Sequence, residues 1–179
     1  MKMTGRQANT IGIYLNDHRA GAAAGIALTK RCRANNHGNE LAAVLDRVVV
    51  EPQEDARVLT RVAAHENVRA NPLKILFGHS GERTARLKLN GRVVGYSPLS
   101  RLIELETLPA GIDARRSLWR TLDVAAREGL ETFEFAALGE RANDQRRRLV
   151  PYHEAAAREA LSSSRPSVVD PFHSTNGEF

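Results

Sequence analysis

A chain of 179 residues, 42% of them hydrophobic, sustains one core and leaves little room for a second full domain. Lys and Arg number 26 against 21 Asp and Glu, a net charge of +5 that permits attraction to nucleic acid or anionic lipid without demanding it. The single cysteine, Cys32, excludes an internal disulfide and a cysteine-rich metal site, which fits a reducing compartment.

Lys2 and Arg6 precede an apolar stretch, but Asn16, Asp17, His18 and Arg19 interrupt it before a signal-peptide core or a membrane span is complete. The expectation is a cytoplasmic protein with no targeting segment. In the same stretch Ile11, Leu15, Ala22, Gly25, Ile26 and Thr29 recur at helical spacing, which predicts a first helix from about Ala8 to Arg33, closed by Asn35, Asn36 and Gly38. Gly21 and Gly25, set among alanines, make that helix thin, a feature expected where another helix approaches closely, from this chain or from a second copy in a homo-oligomer.

Asn39 reads as the N-cap of a second helix carrying Leu41, Val44, Leu45, Val48, Leu59 and Val62. Pro52 lies inside it. Either the helix kinks there and frees the carbonyl of Val48, or VVVEP connects two shorter helices.

Asn71-Pro72 and Ser97-Pro98 each place a capping residue before a proline at the first helical position. The first opens a short extra helix through Leu73, Leu76, Phe77, Thr84 and Leu87. The second opens SPLSRLIELETL, which runs to a breaker at Pro109-Ala110-Gly111 and resumes through Leu118, Trp119 and Leu122. Between them, Asn90-Gly91 either turns a small hairpin or ends the preceding helix, the latter being the simpler reading.

A last helix is predicted from about Phe133 to Leu161, with Phe135, Leu138, Ala142, Leu149, Ala156 and Ala160 on one face and a kink at Pro151. Residues 162–179 lack periodicity and read as a flexible, disordered tail after a helical domain over 1–161. The whole predicts an all-α fold, an antiparallel four-helix bundle.

At about 100° per residue, His18 falls in the sector of Ile11, Leu15, Ala22 and Gly25, while Asn16 and Arg19 turn outward. Asp55 falls on the stripe of Val48, Leu59 and Val62. Glu106 falls between Leu99, Leu102 and Ile103, with Glu104 towards the polar side. His153 shares the face of Phe135, Ala142 and Leu149. Four long segments thus each aim one imidazole or carboxylate at the core, where a charge must be neutralised, paired or bound to metal.

Carboxylate oxygen and imidazole nitrogen suit iron, manganese or zinc, which makes His18, Asp55, Glu106 and His153 the candidate metal ligands. The carboxylate-bridged di-metal bundle requires Glu-x-x-His pairs, and none occurs in the sequence. A satisfied structural polar cluster is the simpler reading. Should the chain be an enzyme, the two histidines would serve as ligands or acid/base groups, and the carboxylates as ligands or orienters.

No phosphate loop or nucleophile elbow is present. Arg146, Arg147 and Arg148 fan around their helix and read as a solvated face. Arg83, Arg86, Lys88, Arg92 and Arg101 surround the Asn90-Gly91 segment and form the candidate polyanion-binding surface, for nucleic acid or anionic lipid.

YLNDHRAG, RLKLNGR, GYSPLSRLIELE and PYHEAAAREAL resemble segments of a widespread group of uncharacterised bacterial helical proteins. The resemblance spans about Ile11 to Leu161. It implies a ferritin-like arrangement of the bundle and carries no activity with it.

Overall fold

In a computed structural model of the chain, residues 5–71, 96–125 and 128–162 are described. Among them the fold is all-helical, with α1 over Gly5–Asn35, α2 over Glu40–His65, α3 over Pro98–Ala125 and α4 over Phe135–Ser162. The short helix expected after Pro72, the Asn90-Gly91 segment and the tail after Ser162 lie outside the described residues.

Local signals set the helix ends. Gly38 adopts φ +87°, and Asn39 accepts a hydrogen bond from the Ala42 amide at 3.2 Å, so the chain reverses and α2 begins where the capping residue stands. Ser97 accepts from the Ser100 amide at 3.1 Å and Pro98 takes the first helical position, where its missing N–H costs nothing.

The three internal prolines do not break their helices. α2 continues through Pro52, α3 through Pro109 and α4 through Pro151. The expected break at Pro109-Ala110-Gly111 is therefore corrected: burial of Leu102, Leu105 and Leu108 before the proline and of Ile112, Leu118, Trp119 and Leu122 after it holds a single helix together. Tertiary packing outweighs the roughly 3 kcal/mol intrinsic penalty of an internal proline.

Each helix has two close neighbours. α1 packs against α2 and α3, and α4 packs against α3 and α2, whereas the backbones of α1 and α4, and of α2 and α3, do not approach within 8 Å of one another among the described residues. The four consequently form a ring about a common interior. That interior is split. One apolar cluster gathers Leu28, Leu45, Leu105 and Leu149, and the other gathers Leu15, Leu59, Trp119 and Phe135. Between the two lies the region described next.

Candidate functional site: a cavity between the helices

Among the described residues no other helix of this chain packs onto Gly21 and Gly25 on the thin face of α1. A methyl group built on Gly21 or Gly25 would meet nothing within 4 Å, and the same holds at Gly111 on α3. The close approach by another helix of this chain, one of the two arrangements expected from the small residues, is not made at these positions. With no side chains there to fill the interior, α1 and α3 leave between them a cavity of about 310 Å³.

All four helices line it. Asp17 and Gly21 of α1, with Thr107, Gly111 and Ala114 of α3, are both lining and exposed, which places the opening at the α1–α3 seam. Buried Val48, Pro52, Asp55 and Leu59 of α2, Leu118 and Trp119 of α3, and Gln145 of α4 form the inner wall.

A charged group forms the polar part of that wall. Asp55 is 2% exposed, its carboxylate lies 2.9 Å from Arg115 Nε, and it accepts from the Arg141 guanidinium. Arg115 also donates to the Gln145 side-chain oxygen. Burial pushes the Asp55 carboxyl up from its ordinary range and the Arg115 guanidinium down, while their mutual attraction opposes both shifts. Gln145, fully buried, donates through Nε2 to the Val48 carbonyl at 3.1 Å. That carbonyl is the one Pro52, four residues later and without an N–H, leaves free.

Trp119 is 0% exposed, and its indole N–H has no hydrogen-bond partner among the described residues. One of its neighbours is Phe135, stacked at 5.9 Å between ring centres. His18 is half-buried, packs edge-on against Tyr14 at 4.6 Å and lines the cavity. Burial lowers its pKa, with Asp17 pulling weakly the other way.

The structure brings together only part of the expected metal set. His18 and Asp55 share the cavity wall. Glu106 and His153 do not: Glu106 is exposed, and the two face one another at 3.7 Å outside the interior. The inward direction assigned to Glu106 is corrected because Leu99 is exposed and the buried stripe of α3 is Leu102, Leu105, Leu108 and Ile112. Centring the inward face on Leu99, Leu102 and Ile103 rather than on Leu102, Leu105 and Leu108 rotated the phase. Glu104, expected on the polar side, is the buried carboxylate, accepting from Arg31 Nε at 2.7 Å and Tyr96 OH at 3.0 Å.

Among the described residues no three His, Cys, Asp or Glu side chains converge as metal ligands. The donor chemistry agrees, since the Asp55 oxygens are held by two guanidiniums and Arg115 places a positive charge on the same wall. Iron, manganese or zinc therefore does not fit His18, Asp55, Glu106 and His153 as a set.

Asn16, expected to face outward, is buried. It donates to the Gly12 and Arg69 carbonyls and accepts from the Asn71 amide at 3.0 Å, tying the segment after α2 onto α1. Of the polyanion cluster, Arg83, Arg86, Lys88 and Arg92 lie outside the described residues. Arg101 is engaged by Glu159 at 2.7 Å and lies over the Tyr96 ring. Arg146 and Arg148 pair with Asp113 and Glu51, and Arg147 with Asp144, as a solvated face would.

Sequence reasoning missed Arg115, Gln145 and the cavity role of Trp119. A signal existed for Gln145 alone, in the unsatisfied carbonyl that an internal proline creates. Compared with known proteins, the chain matches no family model, no curated protein and no solved structure. No described helix is long and apolar enough to cross a membrane.

Proposed function

We propose that the chain is a small-molecule-binding helical bundle, with the cavity between the two core clusters as its binding site. The observation that carries this reading is an interior of about 310 Å³ opening at the α1–α3 seam, where three glycines leave space that ordinary side chains would fill. Ligand sites are typically concave and mostly apolar with a few placed polar groups, and begin at about 300 Å³. A cavity of this size also forfeits packing energy, which a bound molecule restores.

The bundle is antiparallel and ferritin-like. Supporting this, Arg33 meets Asp46 between α1 and α2, Arg101 meets Glu159 and Arg146 meets Asp113 between α3 and α4, and Arg148 meets Glu51 between α4 and α2. Arg31 near the end of α1 likewise meets Glu104 near the start of α3, and Arg141, earlier in α4 than Arg148, meets Glu54, later in α2 than Glu51. Given those directions, α2 and α3 are parallel, as are the helices on either side of the single long crossover of ferritin-like folds. The likeness to the bacterial helical group rests on the segments YLNDHRAG, RLKLNGR, GYSPLSRLIELE and PYHEAAAREAL. A single, buried cysteine with no second thiol for an internal disulfide supports a cytoplasmic location.

Benzene is the simplest probe. It should raise the melting temperature of the natural protein and alter the emission of Trp119, the sole tryptophan, which lines the cavity. Gly25→Leu, which fills the space, should remove both effects. Equal shifts in the two proteins, or none in either, would overturn the reading.

A further inference from the structure

Resting on that reading, we infer that the cavity takes a compact, neutral molecule of about two fused rings bearing one hydrogen-bond acceptor, which enters at the α1–α3 seam and accepts from the Trp119 indole N–H.

Size comes first. An apolar cavity of about 150 Å³ admits one benzene ring. The present one, about 310 Å³, is twice that, and its inner wall of Val48, Pro52, Leu59, Leu118 and Trp119 is apolar.

Charge comes second. Asp55 and Arg115 meet on the wall at 2.9 Å and neutralise one another, with Arg141 and Gln145 occupying further atoms of the pair. Among the described residues no unopposed cation lines the cavity to await an anion, since Arg115 is opposed by Asp55. His18, which also lines it, adds no fixed charge when neutral. A neutral ligand meets the least resistance.

The acceptor comes third. A buried N–H without a partner carries a desolvation penalty, and buried donors are paired in the great majority of cases. Trp119 is wholly buried, lines the cavity and lacks an acceptor among the described residues. A ligand carbonyl oxygen or pyridine-type nitrogen would supply it. Three other cavity donors are occupied within the fold, Thr29 donating to the Gly25 carbonyl, Thr107 to that of Ile103 and Gln145 to that of Val48, and Arg115 Nε lies 2.9 Å from the Asp55 carboxylate.

Naphthalene and isoquinoline test this directly, because they share shape and differ by one ring nitrogen. Equilibrium dialysis at a pH that keeps isoquinoline neutral would be run on the natural protein, Trp119→Phe and Gly25→Leu, with Gly111→Leu as a second filling variant if circular dichroism shows the first to be misfolded. Both molecules should bind the natural protein and neither the filled one. Trp119→Phe should weaken isoquinoline about five-fold, in line with one lost hydrogen bond, and leave naphthalene within about two-fold. Equal effects on the two molecules would overturn the acceptor assignment while leaving the cavity as a binding site. Failure of both to bind the natural protein would overturn the site as well.

Discussion

Gln145 of α4 donates its side-chain amide to the carbonyl of Val48 on α2, 3.1 Å away, supplying the hydrogen bond that Pro52 withholds. A break in one helix's ladder is thereby closed by a neighbouring helix, and the proline, buried and lining the cavity, becomes a fixed part of the wall.

This coupling is measurable by a double-mutant cycle. Gln145→Met should cost about 1–3 kcal/mol, since it strands the Val48 carbonyl and one Arg115 donor. In a Pro52→Ala background the helix regains its own N–H at that carbonyl, and the same substitution should cost less. Additive effects in denaturant unfolding would refute the relationship.

Asp55 is the anchor for two guanidiniums. Asp55→Asn should lower stability by about 3–5 kcal/mol, because it leaves Arg115 buried without its counter-charge. Replacing both partners, as Asp55→Leu with Arg115→Met, should recover part of that loss, since an apolar pair needs no compensating charge. A loss under about 1 kcal/mol in the single variant would show that the pair does not hold the inner wall.

His18 gives the protein a definite response to pH. Its folded pKa lies below the ordinary 6.5, so as pH falls below 6.5 the unfolded chain takes up a proton that the folded one refuses. Stability should therefore decline from pH 7 towards 5, levelling off once pH has passed the folded pKa. His18→Gln should flatten that part of the profile in urea midpoints measured across the range. An unchanged slope would mean that the imidazole is freely solvated.

Cys32 sits in a network in which Asn36 reaches its carbonyl at 2.7 Å and Tyr96 links Asn36 to Glu104. Burial, reinforced by Glu104, pushes the thiol up to about 12. Thiol reagents at pH 8 should leave the native protein unlabelled and modify one group per chain in denaturant, because only the thiolate reacts and the native thiol is both protonated and covered. Glu104→Ala removes the partner of Arg31 and Tyr96 and should accelerate native labelling. Rapid labelling of the unmutated native protein would contradict the buried network.

Much of this architecture was legible in the residues. Asn39 and Ser97-Pro98 marked the starts of α2 and α3 because capping is local chemistry, settled by a side chain and amides three residues away. The stripes Leu41, Leu45, Val48, Leu59, Val62 and Phe135, Ala142, Leu149, Ala156 marked the buried faces of α2 and α4 because a 3.6-residue period is a property of one helix alone. Even the free carbonyl of Val48 followed from Pro52.

Tertiary structure decided the rest. Whether Pro109 ends a helix depends on what packs on either side of it, and the burial of Leu102, Leu105 and Leu108 rather than Leu99 set the phase that turned Glu104 inward and Glu106 outward. Whether Gly21 and Gly25 invite a helix or leave a void depends on how near α3 comes, a distance no single-helix pattern encodes. The meeting of Asp55 with Arg115, Arg141 and Gln145 joins three helices, so its physical cause is the desolvation of a carboxylate that only the assembled interior imposes.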